Sequence, residues 1–150
     1  MTFFIYIIIL MLNLTKPCFL VENFEKYSGQ YVVYTNECKA INLNNVATVK
    51  NYNGQVLKTT INNYRCVLNG VNSISSETII FEHVSLCEIK NNLNLQIKSV
   101  DYGCKDFTLY NAYTSKLKRN INSEYGKTNI QIAIYSSGEI YVGYPFLVDF

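Results

Sequence analysis

Alternation of apolar and polar residues with a period of two runs through most of this chain, and nothing else in it constrains the fold as strongly. Successive side chains of a strand point to opposite faces, so a period of two marks a strand with one buried face, whereas a helix repeats every 3.6 residues. Ile140, Val142, Tyr144, Phe146, Val148 and Phe150 give the cleanest run. Pro145 falls on the opposite face and removes a backbone donor, which predicts an edge strand or a bulge. Ile130, Ile132 and Ile134 form a second run, and Ser136 to Gly138 turn the chain between the two. Leu93, Leu95 and Ile97 alternate with Asn94, Gln96 and Lys98.

Further strands are expected over residues 30–35, 46–50, 55–61, 65–68, 78–89 and 107–113. Turns are expected at residues 51–54 and 69–70, where Asn and Gly cluster. No segment keeps a sustained helical stripe; Ser115 to Asn122 and the surroundings of Tyr27 have room for a short turn only. Roughly nine short strands separated by turns imply an all-β protein, an antiparallel β-sandwich of jelly-roll or immunoglobulin-like type.

Phe3 to Leu12 is an unbroken apolar run. A bilayer span needs roughly 20 such residues, whereas the core of a signal peptide needs about 7–15. Residues 1–18 are therefore expected to be a signal peptide, with cleavage after Cys18 or, as the other option, after Thr15. Residues 19–150 are then expected to be a single secreted domain. No second apolar run of that length follows, so no membrane span is expected.

Cleavage after Cys18 leaves four cysteines, Cys38, Cys66, Cys87 and Cys104. An even number in a secreted chain reads as two disulfides, with three connectivities open. No pair has the Cys-x-x-Cys spacing of a zinc or thioredoxin-type site. Residues 1–18 hold Lys16 and no acid, so 13 Lys+Arg against 11 Asp+Glu becomes 12 against 11. That balance argues against nucleic acid as a partner. The basic cluster Lys116, Lys118 and Arg119 reads as a solvated loop.

Catalytic constellations are lacking in the sequence. His83 is the single histidine, and no Gly-x-Ser-x-Gly element or phosphate-binding glycine loop accompanies it. Its expected place is mid-strand, on the face of Phe81, Ser85, Cys87 and Ile89, and no enzymatic activity is expected. Asp101 and Asp106 flank Cys104 and are the candidate calcium ligands, two of the 6–8 oxygens calcium takes; no other cofactor is expected. Tyr110, Tyr113, Tyr135, Tyr141 and Tyr144 crowd the C-terminal half. Tyrosine joins a large apolar ring to a polar tip, which suits a binding surface.

Three stretches resemble the CUB domain, a secreted β-sandwich module. Cys38 and Cys66 are spaced like its first cysteine pair, and residues 62–66 resemble the approach to its second cysteine. Residues 93–100 and 104–111 are similar to the strand and the Cys–Asp–hydrophobic stretch around its third. Residues 129–137 and 142–150 resemble its closing strands. Leu68 stands where the family often has tryptophan, and Asp106 comes one place early. The resemblance implies bonds Cys38–Cys66 and Cys87–Cys104, the second rearranged from the family pattern. MD-2-related lipid-recognition domains are also similar, through Cys66–Gly70 and the hairpin of residues 130–148. Residues 95–104 resemble the F-strand approach of an immunoglobulin-like domain. The function expected is extracellular recognition of a protein or glycan without catalysis. The alternative is a lipid carrier with a cavity between two sheets.

Overall fold

The computed structural model of the protein describes residues 19–37, 44–51 and 54–148. It is mostly β, with eight strands in one continuous antiparallel sheet and a separate two-stranded hairpin. The strands are β1 (Gln30–Thr35), β2 (Ala47–Asn51), β3 (Gly54–Thr60), β4 (Ser76–Phe81), β5 (Gln96–Asp101), β6 (Phe107–Tyr113), β7 (Ile121–Ser123), β8 (Gly126–Thr128), β9 (Ile130–Tyr135) and β10 (Ile140–Tyr144). The order across the sheet is β2-β3-β1-β4-β10-β9-β6-β5, and β7 pairs with β8. Two short helices, α1 (Tyr64–Gly70) and α2 (Leu86–Leu93), and 3-10 turns over Leu20–Phe24 and Ile61–Asn63 complete the described chain.

Residue parity decides what each face carries. Tyr31 and Val33 of β1, Leu57 of β3, Ile79 and Phe81 of β4, Val142 of β10 and Ile132 of β9 share the inner face, and all are fully buried. Against them pack Leu20, Val21 and Phe24 from the 3-10 turn, Val67 from α1, and Ile89 and Leu93 from α2. Each such side chain contributes roughly 1.5–3 kcal/mol by leaving water. The outer face carries a smaller cluster of Val32, Val56, Ile80 and Val148.

Two segments expected to be strands are helical. Residues 65–68 lie in α1, where Tyr64 and Val67, three apart, are its buried positions. The expected strand 78–89 stops at Phe81, and α2 begins after a loop. Ser85 caps α2: its hydroxyl accepts from the Glu88 N–H at 3.2 Å, and the Ser85 N–H donates to Glu88 Oε2 at 2.8 Å. That reciprocal pair satisfies two of the donors a helix start leaves open. Asn94, left-handed at φ 54°, ends the helix, and β5 follows. The shift takes His83 out of any strand and puts it in the exposed β4–α2 loop, where its Nε2 lies 3.9 Å from Glu82.

The last strand is shorter than the alternation implies. It ends at Tyr144, and the chain then folds back over the outer face. Leu147 N–H donates to Gln131 Oε1 at 3.0 Å, and Val148 N–H to Thr78 Oγ1 at 2.9 Å. Gly143 makes room for this return, because a Cβ there would collide with the backbone of Phe146 and Leu147. Pro145 thus lies beyond the strand and not within it; Phe150 is outside the described residues.

Cys66, Cys87 and Cys104 are free thiols, on α1, on α2 and in the β5–β6 connection, while Cys38 lies outside the described residues. No disulfide is seen among the described residues, and Cys87, for which the resemblance implies a bond to Cys104, is exposed on helix α2 and not on a strand. The expected signal peptide, residues 1–18, is likewise outside the described residues. Among the described residues no helix is long and apolar enough to cross a membrane.

Candidate functional site

The outer face is where strands leave aromatic side chains half exposed. Phe107 of β6 lies opposite Tyr135 of β9 in register, with ring centroids 5.1 Å apart. Tyr135 in turn lies 4.7 Å from Tyr141 of β10. The planes are tilted by 40° and 46°, an offset arrangement that ring quadrupoles favour over a flat sandwich. Tyr141 sits opposite Ile80 of β4, and Ile80 opposite Gln30 of β1. The row thus crosses five strands, β6, β9, β10, β4 and β1.

At its β4–β1 end the row opens into a cleft of about 470 Å³ lined by Ser28, Gly29, Gln30, Ile80, Glu82, His83 and Val84. Gly29 is needed here, since a Cβ would come within 2.6 Å of the Ile80 carbonyl. Beside the aromatic row runs a polar one. Asn111 Nδ2 donates to Ser99 Oγ at 3.0 Å, and Gln131 Nε2 donates to Asn111 Oδ1 at 3.2 Å. Burial, then the neighbouring Glu139, holds the Tyr141 hydroxyl above its ordinary value.

The five tyrosines divide between the faces. Tyr135, Tyr141 and Tyr113 belong to the outer face. Tyr110 packs on the main core, and Tyr144 is 1 % exposed within it. Tyr144 follows the parity of Ile140 and Val142 and so leaves the binding set. Its ring supports the Arg119 guanidinium at 4.9 Å, and its hydroxyl accepts from the Arg119 N–H at 2.9 Å. The same guanidinium donates to the Ile74 and Ser75 carbonyls at 3.1 Å each. Lys116 Nζ donates to the Asn92 carbonyl. The basic cluster is thus an exposed loop, as expected, in which Lys116 and Arg119 are also tied to neighbouring carbonyls.

Asp101 Oδ1 accepts from the Gly103 N–H at 2.8 Å, as a turn-forming aspartate does. Asp106 is exposed, and its backbone carbonyl accepts from the Ser136 N–H. Among the described residues no group of three His, Cys, Asp or Glu side chains is placed to hold a metal ion.

Glu77 escaped the sequence analysis. It lies on the inner face of β4, 0 % exposed, opposite Tyr144 of β10. Its Oε1 accepts from the Tyr31 hydroxyl at 2.7 Å, and its Oε2 from the Leu20 N–H at 3.0 Å. Burial pushes its carboxyl up to about 7, against the opposing pull of those hydrogen bonds and of Arg119. Burial first, then the Glu77 charge, pushes the Tyr31 hydroxyl well above 10. A period-two reading gives no sign of this carboxyl, because Ser76 and Thr78 beside it are also polar.

Comparison of the chain with protein-family models, with curated proteins and with solved structures finds no match.

Proposed function

We propose that this protein is a secreted, non-catalytic recognition module that binds a protein or glycan partner on the outer face of its sheet. The observation that carries this reading is the Phe107–Tyr135–Tyr141 row leading into the cleft beside Gln30 and His83. Half-exposed aromatic rings bring large apolar area at little entropic cost, and hot spots of recognition surfaces are enriched in tyrosine. The adjoining amide row of Asn111 and Gln131 adds donors and acceptors for the hydroxyls or peptide groups of a partner. The signal-like residues 1–18 support secretion. The reading takes the eight-stranded sheet as a β-sandwich-like layer, twisted as antiparallel sheets are, in the manner of a CUB-like module.

The test is a binding screen of the secreted protein against immobilised glycans and against extracellular protein domains, repeated with Phe107→Ala. Binding that falls by about tenfold or more in the variant supports the reading. Binding that is unchanged removes the outer face from the site. Lipid that co-purifies and is released by organic solvent replaces the reading with a carrier function.

A further inference from the structure

Glu77 is the only charged side chain fully buried among the described residues. Its carboxylate faces the backbone of residues 20 and 21: the Leu20 N–H donates at 3.0 Å and the Val21 N–H at 3.5 Å. The ion pairs among the described residues, Arg65 with Glu25 and His83 with Glu82, do not include it. Arg119 spends its guanidinium on the Ile74 and Ser75 carbonyls and on the Tyr144 ring. No ion pair among the described residues joins a cation to the carboxylate, and the Arg119 charge pulls on it only as the weakest of the opposing causes. A buried carboxylate without a contacting countercharge is costly, and a fitting one placed nearby recovers much of that cost.

We infer that the countercharge is the chain's own α-ammonium, formed at Phe19 when the Cys18–Phe19 peptide bond is hydrolysed and residues 1–18 are released. Water is the co-reactant: its hydroxyl goes to the Cys18 carbonyl carbon and its proton to the departing Phe19 nitrogen, and the proton that the new Cys18 carboxylic acid releases turns the amine into the ammonium. A signal peptidase is the class of catalyst, so the inference rests on the secreted reading above. Phe19 is extended at φ −121° and ψ 143°. In that conformation its nitrogen lies about 3.5 Å from that of Leu20, which Glu77 already holds. The residue is anchored on both sides of its backbone. Its side chain packs against the core, and its carbonyl accepts from Asn23 Nδ2 at 3.5 Å. The new amino group therefore arises one residue from the backbone N–H that the buried acid holds, and the inferred pairing would latch the chain start to the central strand β4.

The full-length chain is expressed in a secreting eukaryotic host, and the intact mass of the secreted product gives its first residue. The α-amine is then acetylated in the native protein, in the urea-unfolded protein and in native Glu77→Gln. The expected product starts at Phe19, and its α-amine reacts about tenfold more slowly, or slower still, when folded than when unfolded. Glu77→Gln is expected to restore the fast reaction. Where that variant does not fold, titration of the wild-type α-amine decides, with a value above the ordinary ~8 expected. A secreted chain that starts at any other residue overturns the inference alone. So does an α-amine that reacts equally fast folded and unfolded, titrates at or below its ordinary value, or stays protected in Glu77→Gln. A chain that remains in the cell with residues 1–18 attached overturns both this inference and the secreted reading.

Discussion

The two faces of the sheet are made by the same strands and alternate residue by residue, yet they differ in what covers them. Along β10, Val142 is fully buried under helices and turns, while its neighbour Tyr141 is half exposed beside Tyr135. Along β4, Ile79 and Phe81 belong to the main core, and Ile80 between them floors the cleft. The inner face is closed by α1, α2 and the 3-10 turn. The outer face is crossed by the returning residues 145–148, and its aromatic row stays half exposed. One residue, half a strand period, thus separates the buried face from the face proposed to bind, and substitutions one residue apart are expected to act on different properties.

The largest effect is expected on the inner face. Phe81→Ala removes a ring 5.1 Å from that of Phe24 and leaves a cavity costing about 3–5 kcal/mol. Urea denaturation measures it, and a loss below about 1 kcal/mol would mean that the inner face is not the core. Glu77 comes next, in the chain whose Phe19 nitrogen is still an amide. The folded carboxyl titrates at about 7 and the unfolded one near its ordinary 4.5, so the folded state holds the extra proton between those values. Stability is therefore fully present below the lower value and falls as pH rises through the upper one, by about 3 kcal/mol in all. Urea midpoints at about pH 5 and about pH 8 check this, and Glu77→Gln is expected to flatten the difference. Ser85→Ala removes the α2 cap and is expected to cost about 1 kcal/mol, seen as a small drop in Tm.

Much of the sheet was legible. β9 and β10 carry enough alternating Ile, Val and Tyr for their period to show, β1, β3 and β6 show instead as short runs of β-branched and aromatic residues, and the turn at Gly138, φ 95°, marks the β9–β10 hairpin. The helices were not read because each is short and buries a single pair: Tyr64 with Val67, and Ile89 with Leu93. The second had a readable signal in Ser85-x-x-Glu88, a capping box, but the β-rich residues before it masked the change of period. Parity alone could have sorted the tyrosines, since Tyr144 shares a face with Ile140 and Val142 whereas Tyr141 does not. The cleft could not be read, because it joins residues 28–30 to 80–84 through pairing of β1 with β4. The burial of Glu77 is likewise a product of strand order, which places β4 between β1 and β10 at the centre of the sheet.

The central claim is that the outer face binds and the inner face folds. Tyr135→Ala together with Tyr141→Ala tests it most directly, with stability and partner affinity measured on the same sample. The expected result is a stability loss under about 2 kcal/mol, because both rings are only half buried, with affinity reduced at least about tenfold. A folded double variant that binds its partner at full strength would contradict the account.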